Sequence, residues 1–166
     1  MTRRDASSRL DRFRFRWTDV VYRPGEVKAV AYDARGRKTG EETVRTAGKP
    51  ARIVLRPDAE RFGGSDTKLL FTTVEIVDKD GNPCPHAANR LTFAVTGAAK
   101  FRAATNGDPT DPDSFTKPTL RTFHGKLVVV LEATGQGRAN LTVSGEELTT
   151  SSAGFSVTPD RGTLPD

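Results

Sequence analysis

Acidic side chains are the first groups in this sequence to consider for chemistry, and their spacing does not favour catalysis. Glu75 and Glu132 alternate with apolar residues, which predicts that both lie on a solvent-facing side of a strand. Carboxylates acting as acid and base must converge on one bond. The remaining candidates are adjacent pairs, whose members would point to opposite faces of a strand: Glu41-Glu42 and Glu146-Glu147. We predict no catalytic residue.

The segment Asp78-x-Asp80-Gly81-Asn82 resembles the start of a calcium-binding loop. Such a loop needs a bidentate glutamate further along, which is missing here, and Pro83 follows directly. Asp, Asn and Gly also favour tight turns, because their side chains bond nearby backbone donors or permit positive φ. A β-turn is the favoured interpretation, and calcium binding is the alternative.

A second acidic group, Asp108, Asp111 and Asp113, places three carboxylates within six residues that could converge on a hard cation. The two prolines between them favour an ordered loop held by side-chain-to-backbone hydrogen bonds instead. Asn106-Gly107 is predicted to adopt positive φ, with Asp108 accepting hydrogen bonds from neighbouring N–H groups. We assign no metal site, and whether these aspartates bind a cation stays open.

Thiol and imidazole groups are too few for a zinc centre. The sequence holds one cysteine, Cys84, and two histidines, His86 and His124. Neither histidine has a serine or cysteine partner at a recognisable spacing. Cys84 lies between two prolines with no cationic cluster beside it, which predicts an unreactive, partly buried thiol. We predict no cofactor.

Aromatic side chains could contact carbohydrate by stacking on sugar rings. Trp17 is the residue we single out for such a contact. It also shares one strand face with Phe13 and Phe15, which favours a core position instead. Tyr22 and Tyr32 are predicted to be hydrogen-bonded at sheet edges. The full set of candidates is Trp17, Tyr22, Tyr32 and Phe155.

Composition and charge exclude several function classes. The chain has 166 residues, of which 35% are hydrophobic, and a formal charge of +5. Residues 1–16 hold six arginines and two aspartates, so the rest of the chain is nearly balanced and no nucleic-acid partner is predicted. The longest apolar run, at 127–131, is too short to enter a bilayer. No apolar segment follows Arg3-Arg4, so we predict no signal peptide.

Short alternating segments bounded by turns predict an all-β chain without helices. Residues 1–12 are interpreted as a disordered basic leader, 13–48 as a partial β-sandwich, and 160–166 as a tail. Residues 49–159 are predicted to form an immunoglobulin-like antiparallel β-sandwich. The strands are predicted at 13–17, 26–32, 37–46, 51–55, 68–77, 91–95, 100–105, 127–132, 139–144 and 152–158.

Residues 15–32 have the pattern aromatic-x-W-x-x-V-x-Y-x-P-G-E-[LV]-K-x-V-A-Y. Matching motifs follow in order at 46–55, 71–83, 106–110, 114–115 and 123–127. Together they resemble the C-terminal region of bacterial family 2 glycoside hydrolases of the β-galactosidase type. The partial sandwich would be the last strands of the accessory domain that follows the catalytic barrel, and the second sandwich would be the terminal domain.

The resemblance implies a non-catalytic accessory region, because the two catalytic glutamates of that family lie on the barrel. We expect a C-terminal fragment of a glycosidase, with a structural or glycan-positioning role in carbohydrate degradation. Its partners would be other domains of the glycosidase polypeptide or its oligomer, and glycan. The parent enzyme would be periplasmic or extracellular.

Two alternatives stay open. Residues 74–83 and 91–95 also fit a bacterial immunoglobulin-like adhesion module of the invasin type, although tandem repeats are absent. A carbohydrate-binding module built on Trp17 is the other. The motifs at 17–32 and 106–110 favour the glycosidase interpretation, because adhesion repeats are not expected to carry them.

Overall fold

The computed structural model describes Trp17, residues 19–64 and residues 68–158. These residues form eleven strands and no helix, which confirms the predicted all-β class. No helix long and apolar enough to cross a membrane therefore occurs in the described part of the chain. The predicted leader at 1–12, the predicted strand at 13–17 apart from Trp17, and the tail at 160–166 lie outside the described residues.

The chain divides into two compact units between Thr46 and Ala47. The first unit contains two strands and the second contains nine. In chain order the strands are β1 (Glu26–Tyr32), β2 (Lys38–Arg45), β3 (Arg52–Pro57), β4 (Arg61–Gly63), β5 (Leu69–Val77), β6 (Arg90–Gly97), β7 (Ala99–Thr105), β8 (Thr119–Arg121), β9 (Lys126–Ala133), β10 (Gly137–Gly145) and β11 (Ser151–Thr158).

The first unit contains a hairpin of β1 and β2, which correspond to the strands predicted at 26–32 and 37–46. Asp33 shapes its turn, because its Oδ1 accepts hydrogen bonds from the N–H groups of Arg35 and Arg37 at 2.8 and 2.9 Å. Val27 and Val44 are paired across the strands and stay 61% and 65% exposed. A two-stranded ribbon buries little apolar surface by itself.

The second unit is a β-sandwich, as predicted. Its four-stranded sheet has the order β3-β5-β9-β7, and its five-stranded sheet has the order β4-β11-β10-β6-β8. Neighbouring strands are antiparallel except β4 and β11. Strand alternation brings buried side chains of both sheets into one core, including Val74 of β5, Val129 of β9 and Leu141 of β10.

All seven strands predicted in this unit are present, and two strands were missed. The missed strands, β4 and β8, have three residues each, which is too short to show an alternating pattern. β7 also carries an irregularity between Phe101 and Ala103. Phe101 stacks on Phe93 of the opposite sheet with ring centroids 5.7 Å apart.

The connecting loops gather at the two ends of the sandwich. We call the end where the chain enters the second unit the entry end. The strand pairings place the connections 46–51, 78–89, 106–118, 122–125 and 146–150 there. The connections 58–60 and 134–136 lie at the opposite end. Most of the acidic, thiol and imidazole candidates therefore lie at the entry end.

Thr72 provides a test of the core. Its side chain is fully buried on β5, and its hydroxyl has no hydrogen-bond partner among the described residues. A buried hydroxyl without a partner destabilises the folded state. We expect Thr72→Val to raise the free energy of unfolding by about 1 kcal/mol, measured by urea titration.

Thr142→Val is the matched control, because the Thr142 hydroxyl lies 2.9 Å from Ser152 Oγ and also accepts a hydrogen bond from Asn140 Nδ2. This substitution is expected to be neutral or destabilising. Equal stabilisation by both variants would contradict the account, since β-propensity alone would then explain it.

Candidate functional site

Glu75 is a buried acid held between two cations. It lies on β5 between Val74 and Ile76, which face the core, so its side chain points to the outer face of the four-stranded sheet. Its Oε2 is 3.3 Å from Arg56 Nε, its Oε1 is 3.1 Å from Lys126 Nζ, and 8% of the side chain is exposed. The prediction that Glu75 is open to solvent is wrong, because these long side chains cover it.

Glu132 lies far from Glu75. It contacts Lys100 and Arg102, each at 3.3 Å. Glu75 is paired across the sheet with Lys126 of β9, and Glu132 lies further along β9. The rise per residue of a strand then separates Glu75 from Glu132 by about 20 Å. Two carboxylates that cleave one glycosidic bond are roughly 5 to 10 Å apart. These two glutamates cannot form such a pair.

The adjacent glutamates also have structural positions. Glu41 forms ion pairs with Lys38 and Lys28, which lower its pKa, Lys38 having the larger effect. Glu146 and Glu147 form a turn after β10 ends, so the prediction that strand geometry separates them is wrong. Glu147 has φ of 59°, a conformation that L residues adopt mainly in turns.

Asp78 closes the loop between β5 and β6 and fixes the start of the second unit. Its Oδ1 accepts hydrogen bonds from the backbone N–H groups of Asp80 and Asn82 at 2.9 and 2.8 Å. Its Oδ2 accepts from Asn82 Nδ2 at 2.9 Å and from the backbone N–H of Gly48 at 2.8 Å. Asp78 is 2% exposed, and the turn continues through Gly81 at φ of 90°. The β-turn interpretation is confirmed.

These donors hold the pKa of Asp78 well below its usual range, with the Gly48 N–H contributing most and the Asn82 side chain next. Cys84 lies beside this turn, where its Sγ is 3.8 Å from the carbonyl oxygens of Gly48 and Asn82. Burial, and to a lesser extent the Asp78 charge, raises the pKa of the Cys84 thiol. A thiol of this kind is a poor nucleophile at neutral pH.

Residues 106–113 form the ordered loop that the prolines predict. Gly107 has φ of 78°, and Asn106 Oδ1 accepts a hydrogen bond from the N–H of Asp108 at 3.0 Å. Asp108 Oδ1 in turn accepts from the N–H of Thr110 at 2.9 Å. Both features were predicted from the sequence, and they show how the side chains of this loop replace regular backbone pairing.

Asp111 and Asp113 are engaged in different directions. Asp111 accepts hydrogen bonds from the N–H of Asp113 at 2.9 Å and from Asn106 Nδ2 at 2.6 Å. Both bonds lower the pKa of Asp111, and the bond from the Asp113 N–H has the larger effect. Asp113 forms an ion pair with Arg90 at 2.9 Å. No group of three acidic, histidine or cysteine side chains converges on a cation position within the described ranges.

The imidazoles and aromatic candidates are dispersed. His86 and His124 are both exposed, and His124 Nδ1 lies 3.3 Å from the carbonyl oxygen of Pro85. Tyr22 is hydrogen-bonded as predicted, through its hydroxyl and Thr46 Oγ1 at 3.3 Å, while Tyr32 is 52% exposed.

The structure separates the other two aromatic candidates. The prediction that Phe155 could stack on a sugar ring is wrong, because Phe155 is 4% exposed and packs edge-on against Phe62 in the core. Trp17 is 55% exposed, so the favoured core position is not what the structure shows. Phe13 and Phe15, with which it was predicted to share a face, lie outside the described residues.

A shallow open cleft of about 400 Å³ lies at the opposite end of the sandwich. Its polar side chains are those of Lys68, Glu132, Gln136 and Thr158. Among the described residues that line the cleft, Glu132 is the one acid, and it is already paired with Lys100 and Arg102. Among the residues that the structure describes, the cleft therefore offers hydrogen bonds but no pair of carboxylates.

The outer face of the four-stranded sheet is the feature that the sequence analysis missed. Phe71 on β5 is 46% exposed and is paired with Val130 on β9. A signal was present in the sequence, because residues 127–131 are apolar at every position. Such a run is typical of a strand covered on both faces rather than one.

Two family models match the chain. The glycoside hydrolase family 2 C-terminal domain 5 matches residues 53–154, which is more than half of the chain and most of the sandwich. A domain of unknown function (DUF4982) matches residues 2–40. The motifs recognised at 71–83, 106–110, 114–115 and 123–127 lie within the first match, and the motif at 15–32 lies within the second.

Relatives with an assigned activity are much longer proteins. A β-galactosidase from Bacteroides ovatus is 37% identical over 140 residues, which are 84% of this chain and 16% of that protein. A putative β-glucuronidase from Formosa agariphila is 33% identical over 118 residues, or 69% of this chain and 11% of that protein. The chain thus spans less than a fifth of either relative.

Solved structures agree with the fold. A β-glycosidase from Bacteroides vulgatus matches with a TM-score of 0.77 and 30% identity, covering 83% of this chain and 18% of that one. A family 2 glycosyl hydrolase from Bacteroides cellulosilyticus matches with a TM-score of 0.76 and 27% identity, covering 84% of this chain and 18% of that one. Both matches cover most of this chain and only a small part of a larger enzyme.

The Asp78 turn gives a testable stability prediction. Asp78→Asn places an amide NH2, itself a donor, where two donors now meet one carboxylate oxygen, so we expect the melting temperature at pH 7 to fall by several degrees. The folded-state pKa is lowered, so the carboxylate stabilises the fold above the ordinary value of 3.8 and loses this effect as pH falls further. The variant should therefore lose less stability than the wild-type chain between pH 5 and pH 2, followed by thermal melts.

Asp80→Asn is the matched control, because Asp80 is exposed in the same turn and its side chain contacts Lys79. Its melting temperature should stay close to that of the wild-type chain. An Asp78→Asn variant with unchanged melting temperature and an unchanged pH profile would show that the turn does not depend on this carboxylate.

Proposed function

Since the chain belongs to the glycoside hydrolase family 2 C-terminal domain 5 family, we propose that it is a non-catalytic accessory region of a β-galactosidase-type enzyme. Its role is structural: it packs beside the other domains of the glycosidase and stabilises them. The observation that carries this proposal is the family match over 53–154, in a chain that spans 16% of the Bacteroides ovatus β-galactosidase.

The geometry of the acidic residues supports a structural role. Glu75 and Glu132 are each paired with two cations, and Asp78 is saturated by hydrogen bonds from its own turn and from Gly48. A retaining glycosidase needs one carboxyl to carry a proton and a second to attack the sugar from a few ångströms away. Acids that are held in separate structural contacts do not supply this arrangement.

The choice of a β-galactosidase type rests on similarity. The match to the β-galactosidase is longer and closer, at 37% identity over 140 residues, than the match to the putative β-glucuronidase, at 33% over 118 residues. Sugar specificity would be determined by the catalytic part of the parent enzyme, so the accessory region carries only this indirect information.

A chimeric enzyme tests the proposal. In it, this chain replaces the segment that it matches in the Bacteroides ovatus β-galactosidase. We expect the chimera to hydrolyse a chromogenic β-galactoside with kcat/KM within roughly tenfold of the parent enzyme, since remote contacts affect the chemical step only indirectly. The chain alone should give no hydrolysis of β-galactoside or β-glucuronide.

The control is the same chimera with Leu141→Asp, which places a charge in the core of the sandwich. It should lose thermal stability and, with it, activity after heating. Turnover by the pure isolated chain would refute the non-catalytic role. An inactive chimera, or a control as stable as the chimera, would refute the structural role.

A second role is contact with carbohydrate at Trp17. It is favoured by the exposure of this residue, which is 55%. We expect the isolated chain to bind galactan in the millimolar range and Trp17→Ala to lose this binding, measured by affinity electrophoresis. Tyr32→Ala, which removes a ring of similar exposure, is the control. Binding that persists in Trp17→Ala would exclude Trp17 as the contact.

A further inference from the structure

The outer face of the four-stranded sheet carries a continuous apolar area. Phe71, Val130 and Ala103 are paired across β5, β9 and β7 in one row, and Thr73 and Val128 are paired in the next row. Directly paired residues project from the same face of a sheet. We call this area the Phe71 patch, which consists of Leu69, Phe71, Thr73, Ala103, Val128 and Val130.

The patch is open in the structure. Phe71 and Leu69 are 46% and 42% exposed, and Val128 and Val130 are half-buried. Exposed apolar residues that occur singly need no explanation, but a contiguous group on one face marks an interaction surface. The apolar run of β9 puts valines on this face at two successive outward positions, Val128 and Val130.

The outer face of the five-stranded sheet provides an internal comparison. Its outward positions are small or polar, and Thr142, Ser152 and Asn140 form hydrogen bonds with one another there. Antiparallel sheets that face water alternate apolar and polar residues in this way. The two outer faces of one sandwich therefore differ, and the four-stranded sheet has the composition of a covered face.

Charges border the Phe71 patch at both ends of its strands. Arg56 and Lys126 lie around Glu75, and Lys100 and Arg102 lie around Glu132. Each glutamate thus has two cationic neighbours. Asp58 adds a third carboxylate beside the patch, because its Oδ1 accepts a hydrogen bond from the Phe71 N–H at 3.1 Å, so the border keeps a small excess of positive charge. An apolar centre with a polar border is the usual organisation of a protein interface. The surface that fits it has an apolar centre and carboxylates towards its edges.

The size of the patch distinguishes between occupants. Three strands about 4.8 Å apart and about 15 Å of strand length give the patch an area of about 200 Å². A stable complex between separate proteins buries about 800 Å² on each partner. Domains of one polypeptide need less, because the linker keeps them at high effective concentration. The chain spans 16% of the β-galactosidase relative, which leaves ample protein in such a polypeptide to supply the opposing surface.

We propose that the Phe71 patch docks onto another domain of the same glycosidase polypeptide, through a partner surface with an apolar centre and carboxylates at its border. This inference rests on the proposed accessory function. It assigns that function to one face of one sheet, and it identifies Phe71 and Val130 as the central contacts.

Hydroxyl-radical footprinting of the isolated chain and of the chimera tests this assignment. Phe71 and Phe115 are matched probes, since they are 46% and 51% exposed, and Phe115 lies in the 106–118 loop at the entry end. We expect oxidation of Phe71 to fall roughly fivefold in the chimera, because the centre of an interface loses most of its exposed area. Phe115 should react at a similar rate in both proteins.

Variants separate docking from folding. Phe71→Thr combined with Val130→Thr keeps strand-forming residues at exposed positions, so the isolated chain should melt at nearly the same temperature. The chimera with both substitutions should lose activity faster on heating. Ala94→Thr, on the outer face of the five-stranded sheet, is the control and should change neither protein.

The outcomes are distinguishable. An inactive chimera would overturn the proposed function and the docking assignment with it. An active chimera in which Phe71 is as reactive as in the isolated chain, or in which both rings are equally protected, would overturn the docking assignment alone. A dimer of the isolated chain in sedimentation that the double variant abolishes would assign the patch to self-association and also overturn it.

Discussion

A sandwich of two sheets covers one face of each sheet and leaves the other face to its surroundings. In the second unit this constraint explains the core, since Val74, Val129 and Leu141 meet between the sheets. It also exposes an asymmetry, because one outer face is made of small or polar residues and the other carries Phe71 and Val130. The same alternation that builds the core therefore indicates where a further layer of protein belongs.

The charged groups of the sandwich serve the fold. Arg56 and Lys126 extend over Glu75, so the acid is covered on an outer face without an isolated buried charge. Asp78 joins the β5–β6 turn to Gly48 at the start of the unit, and the loop at 106–113 is held by its own Asx contacts. Carboxylates used in this way maintain loop and strand geometry, which is consistent with an accessory region whose parent enzyme performs its chemistry elsewhere.

The fold followed from the sequence wherever local pattern was enough. Alternation located the seven longer strands of the sandwich, and the Asp78 and Asn106 turns followed from residues that bond their own backbone. Long-range contacts were not accessible in this way. The cations that cover Glu75 come from β3 and β9, and Gly48 reaches Asp78 from a segment 30 residues away. The sequence placed Phe71 in a strand but did not show that it belongs to an exposed apolar patch. That patch becomes visible only when the residues paired with Phe71 on the neighbouring strands are known.

The proposed role makes this sandwich a structural layer of a larger glycosidase, covered on the face of its four-stranded sheet. The most direct measurement is an experimental structure of the chimeric β-galactosidase that contains this chain. The account predicts that Phe71 and Val130 are buried against another domain of the enzyme while the five-stranded sheet faces solvent. A structure in which the Phe71 patch remains open, or in which a side chain of this chain reaches the bound sugar at the catalytic centre, would contradict it.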